Sequence, residues 1–320
     1  MMTMTHDVEA TARSRVPQGL AFAALSAISF GLSGALAKGL LEAGWTPAAA
    51  VTLRIVIAAV VLLVPATIAL RGRWALLRDN ARLVVSYGVV AVAGCQFAYF
   101  NAVDHMQVGV ALLIEYTAPV AVIGWLWFRH HQRPGRLTVL GAVVAAVGLV
   151  LVLELVSGAS VSLVGVLWAL GAMVGVAAYF VMSADEDNGL PGLVLAAGGL
   201  VVAAIVLLLA ALLGIVPWAA PRTSVSFVDT TVPWWVPVLA LGVVTAALAY
   251  VTGIAATRRL GSRLASFVAL NEVLAALVFA WLLLGELPGG IQVVGGLLIL
   301  AGVVVVKLGE PEIAATPGSP

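Results

Sequence analysis

Charge is scarce in this sequence. Of 320 residues only 10% are Asp, Glu, Lys or Arg, against 62% hydrophobic. A soluble domain is about a quarter charged, so an ordinary globular fold is excluded. Cys95 is the sole cysteine, which rules out an intrachain disulfide and leaves the redox compartment unconstrained. Sixteen Lys and Arg, most of them in short loops, are too few for a nucleic-acid surface. No HExxH, GxSxG, CxxC or P-loop pattern occurs. An ATP site, a metal site and a cofactor are therefore not expected. No polar stretch between apolar runs is long enough for a soluble domain, which argues against a signalling or scaffolding role.

What the chain has instead is apolar length. Ten segments, at 18–37, 46–70, 83–103, 107–128, 136–154, 161–183, 189–216, 235–257, 262–284 and 289–307, each hold enough uncharged residues to be read as a membrane helix. The longest connection, PWAAPRTSVSFVDTTVPWW, separates the seventh from the eighth and carries Trp218, Trp234 and Trp235, residues that favour the membrane interface. Residues 1–16 and 308–320 are polar tails expected to be disordered. The first apolar run is read as a retained helix rather than a cleaved signal, because it is long for a signal peptide.

A shift of 154 residues superposes Gly88-Val89-Val90 on Gly242-Val243-Val244, Trp127 on Trp281, Pro134-Gly135 on Pro288-Gly289, Gly141 on Gly295 and Gly148 on Gly302. The chain thus reads as two five-helix units, 17–155 and 156–307. Five spans is an odd number, so the second unit must enter the membrane opposite to the first. With the N-terminus inside, the inside loops and tails hold thirteen Lys and Arg and the outside loops only Lys38 and Arg222, a strong positive-inside bias. The expectation is an all-α integral membrane protein of ten transmembrane helices in two inverted five-helix repeats, with both termini cytoplasmic in a plasma membrane. Inverted repeats are a signature of secondary transporters, which bind substrate between the two halves near the bilayer midplane.

The stretch ALVFAWLLLGELPGGIQVVGGLLILAGVVVV (275–305) and the first-half run TAPVAVIGWLWF followed by a basic loop and VLGAVVAAVGLVLV resemble EamA-type members of the drug/metabolite transporter superfamily. So does Lys38 at the end of segment one combined with Arg54 in segment two. The resemblance covers almost the whole chain and implies a carrier of small metabolites, often an exporter. It also implies an acidic residue after the ninth helix, present as Glu286 with Gln132 as its first-half counterpart. Pro119 supplies the expected helix proline in the first half. The second half has Asn271-Glu272-Val273 there instead, without the proline that would bend the helix.

Three ionisable residues fall within apolar segments. Glu115 and Glu272 both read as mid-segment, where a charge costs about 2.5–3.5 kcal/mol on insertion scales. A carboxyl group lowers that cost by keeping its proton, and such a group is suited to bind substrate or to exchange a proton as a cavity changes sides. Arg54 cannot shed its charge and requires a carboxylate or other acceptor, so it reads as an anion clamp or as a partner of Glu115. Lys38, at a helix end, reads as an interfacial anchor. Asn271, Gln96, Tyr99, Tyr250 and Trp168 are further candidate lining residues. Ser26, Ser29 and Ser33 share one face and, like Gly141, Gly148, Gly295 and Gly302, are read chiefly as close helix contacts. The fifth and tenth helices are candidate dimer contacts. The expected partners are a small-molecule substrate, protons and the bilayer. The alternatives are a membrane-embedded lipid-modifying enzyme and a nucleotide-sugar carrier; the latter calls for more cationic groups than the one buried Arg54.

Overall fold

A computed structural model describes residues 3–118, 135–152, 162–184, 188–269 and 271–309. Pro119, Trp127, His130-His131, Gln132 and Asp185-Glu186-Asp187 lie outside the described residues. The described chain is almost wholly helical, as an apolar surround demands: with no water to bond, each backbone N–H must find its carbonyl within the same segment. The helices are α1 (Thr3–Glu42), α2 (Pro47–Leu70), the short α3 (Trp74–Asp79), α4 (Ala81–His105), α5 (Val108–Glu115), α6 (Arg136–Val152), α7 (Leu163–Ala184) and α8 (Gly192–Leu212). They continue with α9, formed by Trp235–Gly242, Val243–Leu248 and Ala249–Ala269 in succession, then α10 (Asn271–Leu284) and α11 (Gly290–Gly309). Helix α1 begins at Thr3, so helical backbone reaches into the segment expected to be a disordered tail.

Six of these helices are long and apolar enough to cross a membrane, and Arg136–Leu151, Asn271–Leu284 and Gly290–Gly302 are shorter apolar helices. Their burial pattern inverts that of a soluble protein. Alanines make up much of the interior, beside buried Tyr87, Phe100, Tyr250 and several leucines, while Val60, Leu63, Val64 and Ile68 of α2 and Ile205 and Leu209 of α8 are exposed. So continuous an apolar exterior marks a lipid-facing surface.

Two compact units make up the chain. In the first, residues 1–116 and 160–288, inter-helix contacts fix the relative directions. Gly34 meets Tyr99 and Val108, and Lys38 reaches the Met106 carbonyl, so α4 runs parallel to α1. Gly165 meets His105 and Met106 while Gly175 meets Cys95, so α7 is antiparallel to α4. Helix α2 descends from Thr46, at the end of α1, to Arg54, which bonds to Gln96 of α4. Helix α8 climbs the other way, from Gly192 beside Arg258 toward Ala219, whose carbonyl bonds to Thr46. Gly19 meets Leu260 while Ser26 bonds to Ala249, so α9 is antiparallel to α1; Gly31 meets Glu272 and Ala276 while Lys38 pairs with Glu286, so α10 is parallel to it. The chain direction therefore reverses between Leu260 and Glu272. That reversal lies near the boundary expected at 258–262, although helical conformation extends to Ala269. Helix α5 is antiparallel to α10, with Gly109 against Leu277 and Tyr116 bonded to Glu272.

Two stretches are wound as π-helix, Tyr87–Gly94 in α4 and Val243–Leu248 in α9. They fall on one another under the 154-residue offset. Each begins beside a glycine that another backbone approaches. A Cβ on Gly88 would stand 2.7 Å from the Gly199 carbonyl oxygen of α8, and one on Gly242 would collide with Ile57 and lie 3.3 Å from the Arg54 carbonyl oxygen of α2. The matched glycine triplets are thus matched packing sites.

The long connection before α9 holds a β-hairpin, Val225–Phe227 paired antiparallel with Thr230–Val232. It is a departure from the expected all-α chain and has a local cause: Thr230, Thr231 and Val232 are β-branched, and a two-residue Val228-Asp229 turn joins the strands. Phe227 packs over Gly39, and the Val228 amide donates to the Leu283 carbonyl, so the hairpin rests on the ends of α1 and α10.

In the second unit, residues 117–159 and 289–320, α6 and α11 pack together antiparallel. Gly148 faces Gly295 and Ile299, Gly302 faces Gly141 and Ala145, and Gly309 faces Thr138. A Cβ on Gly302 would stand 2.6 Å from the Gly141 carbonyl oxygen. The glycine stripes are used in this intrachain contact, as close approach of membrane helices requires.

Candidate functional site

A cavity opens within the first unit between α1, α4, α7 and α9. It offers about 60 Å³ to the centres of water-sized molecules, several times the ~10–15 Å³ that one water needs. Its wall is small-residue helix surface (Ala23, Ala27, Ala91, Gly253, Ala256, Ala265 and Ala269), which leaves the room, interrupted by a few large rings and two carboxylates.

The carboxylates are Glu115 and Glu272. Neither is mid-helix, contrary to the expectation from segment centres. Glu115 is the last residue of α5 and Glu272 stands in the first turn of α10, where unpaired helix N–H groups favour a negative charge. The Tyr116 hydroxyl donates to Glu272 Oε2 at 2.6 Å. Glu115 is 5% exposed, has the Cys95 thiol 3.9 Å from Oε1 as a weak donor, and leaves Oε2 buried with no partner among the described residues.

Beside the carboxylates stands an aromatic wall. Tyr250 lies edge-on to Phe30 with ring centroids 5.2 Å apart and 5.9 Å from Tyr179, which in turn meets Phe180 at 5.2 Å. The Tyr179 hydroxyl lies over Gly253 and is buried without a hydrogen-bond partner among the described residues. Ser26 lines the cavity but spends its hydroxyl on the Ala249 carbonyl at 2.9 Å.

Arg54 is fully buried and does not pair with Glu115. Nη1 donates to Gln96 Oε1, Nη2 donates to the Thr245 carbonyl at 2.6 Å, and the Phe100 ring lies 5.4 Å from Cζ. The Thr245 carbonyl belongs to the π-wound stretch of α9, so the guanidinium ties α2, α4 and α9 together. Gln96 lines the cavity while Arg54 stands behind it.

Of the residues singled out in the sequence, the cavity gathers Glu115, Glu272, Gln96, Tyr250 and Ser26. Tyr99 packs its ring against Phe100 and its hydroxyl over Gly34. Trp168 lies edge-on to Phe97, and exposed Asn271 donates to the Val268 carbonyl; none of these three lines the cavity. Tyr116, Tyr179, Phe180, Phe30 and Cys95 line it without having been singled out. Tyr116 follows Glu115, Cys95 precedes Gln96 and Phe30 follows Ser29, so these three had a polar neighbour to mark them; Tyr179 and Phe180 sit in an apolar run with none. Lys38 is no free interfacial anchor. It pairs with Glu286 at 2.6 Å, donates to the Met106 carbonyl, and Glu286 Oε2 accepts from the Val108 amide.

The profile of the EamA-like transporter family matches residues 17–154 and again 163–308. The chain belongs to the EamA-like transporter family. It is a multi-pass membrane protein of a family of transporters, and the double match makes it a two-repeat member. Those EamA-like matches start at 17 and 163 and end at 154 and 308, so the offset grows from 146 to 154 residues; that growth accounts for the looser correspondence of the first two segments in each half. A solved crystal structure aligns over 92% of this chain and 97% of its own, at 22% identity and a TM-score of 0.61; at that identity the likeness is one of fold. No curated protein matches the EamA-like chain.

Proposed function

We propose that this EamA-like protein is a ten-span secondary transporter. Its two inverted repeats, 17–155 and 156–307, move a small amphipathic metabolite of about amino-acid size across the plasma membrane. The observation that carries the reading is the cavity itself, a polar pocket with two carboxylates deep in an apolar helix assembly, one from each repeat. Ionisable groups in such surroundings are retained where they serve a substrate or ion pathway. The helix directions support the inversion: each of α1, α2, α4 and α5 runs opposite to its counterpart among α7, α8, α9 and α10, and α6 runs opposite to α11. The positive-inside bias places Arg258, Arg259 and both termini in the cytoplasm.

The cavity occupies the half of the assembly toward Ala23 and Thr257, near Arg258. At the opposite end the Lys38–Glu286 pair and the hairpin join the ends of α1 and α10, which supports closure on that side. That is the arrangement of a carrier open to the cytoplasm, from which an exporter loads. Glu115 and Glu272 provide the coupling: a carboxyl that takes a proton from one side and yields it when substrate arrives links the two movements. A nucleotide-sugar cargo fits poorly, because no Lys or Arg lines the cavity among the described residues.

Purified protein in proteoliposomes, offered labelled metabolite mixtures with and without a proton gradient, tests the reading. Substrate-specific flux that is abolished or uncoupled in Glu115→Gln or Glu272→Gln supports it. Correctly folded protein that moves no solute contradicts it.

A further inference from the structure

Resting on the transporter reading, we propose that the cavity selects organic cations, namely amines and quaternary ammonium compounds with an aromatic or apolar body, over zwitterionic amino acids. The electrostatics of the lining lead there. Among the described residues, its only ionisable ones besides tyrosine and Cys95 are Glu115 and Glu272. Arg54 does not line the cavity, and its Nη1 and Nη2 donors are engaged by Gln96 and the Thr245 carbonyl while the Phe100 ring lies beside the guanidinium.

Glu115 Oε2, buried and without a hydrogen-bond partner among the described residues, is an acceptor awaiting a donor or a positive charge. An ammonium group satisfies it directly, and a charge-assisted hydrogen bond is about twice as strong as a neutral one. Tyr250, Tyr179 and Phe30 present ring faces and edges in one continuous wall beside the carboxylates. Ring faces attract a desolvated cation and bury an aromatic body at the same time. An amino acid carries the same ammonium together with a carboxylate. That carboxylate would meet two buried glutamates and, among the described residues, no lining base, an unfavourable like-charge juxtaposition.

The test uses the full-length protein in nanodiscs and, separately, in proteoliposomes. The probes are phenethylamine, N,N,N-trimethylphenethylammonium, phenylalanine and 2-phenylethanol. Binding of both cations at least roughly tenfold tighter than phenylalanine and 2-phenylethanol is expected. Glu115→Gln is expected to remove most of that preference, and Glu115→Asp, which keeps the charge, to retain it. The Asp variant also separates loss of charge from loss of fold. Equal or tighter binding of phenylalanine, or an unchanged preference in folded Glu115→Gln, overturns the proposal. Flux of phenylalanine without flux of the amines overturns the cation selectivity and leaves the transporter reading standing. Selective amine binding with no flux of any solute does the reverse.

Discussion

At the scale of single residues, the chain places its few polar groups where each has one defined geometric task. Arg54 is held by a side-chain amide, a backbone carbonyl and a ring, three acceptors from two other helices. A lysine is a point charge without the guanidinium fork. Arg54→Lys is therefore expected to lower unfolding stability by about 1–3 kcal/mol, since hydrogen bonds to charged groups contribute on that order; denaturant titration in detergent measures it. Tyr116→Phe deletes only the hydroxyl that donates to Glu272. The cavity shape is kept and the carboxylate is freed, so substrate affinity should change by about tenfold or less while stability falls by about 1 kcal/mol. An unchanged affinity would show that Glu272 lies off the binding path. The residue Arg54 was legible in the sequence as an inward-facing charge, because nothing else explains arginine so deep in an apolar run. Its partner was not, because a buried guanidinium is satisfied by any carbonyl or amide the fold brings near, and Gln96 and the Thr245 carbonyl announce no such role in one dimension.

Among the elements, glycine decides how closely helices approach. Gly88 and Gly242 each admit a neighbouring backbone at the mouth of a π-wound stretch, and Gly302 admits that of α6. Gly88→Val, Gly242→Val and Gly302→Val should each destabilise by about 2–5 kcal/mol through overpacking and lost backbone contact. Gly290→Ala, with no atom within 4 Å of the added carbon, should be neutral or slightly favourable because it stiffens a helix start. Thermal unfolding of the four variants checks both limbs. Helix existence and the repeat were plain in the sequence, since apolar length and a constant offset survive without any knowledge of packing. The π-winding and the reversal between Leu260 and Glu272 were not. Both depend on which neighbour a helix meets rather than on its own composition. The hairpin at Val225–Val232 was hidden for another reason: three residues per strand is too short for an alternating pattern to stand out between flanking Pro and Trp.

For the whole molecule, the proposed transport requires that one cavity be exposed to one side at a time. Lys38 and Glu286 bind each other, the Met106 carbonyl and the Val108 amide, joining α1, the α4–α5 link and the end of α10 on the side away from the cavity. If the cavity is to open outward, these contacts must separate. Charge-reversed Lys38→Glu should slow flux, and the exchanged pair Lys38→Glu with Glu286→Lys should recover part of it, a coupling read by a double-mutant cycle. The most direct measurement links those two positions covalently. Lys38→Cys and Glu286→Cys, introduced into a Cys95→Ala background that retains flux, are joined by a short, cleavable thiol-reactive cross-linker in reconstituted protein, and substrate flux is followed before linking, after it, and after cleavage. Flux is expected to stop while the link is intact, substrate to bind still from the Arg258 side, and cleavage to restore transport. Undiminished flux through fully cross-linked protein would contradict exposure to one side at a time.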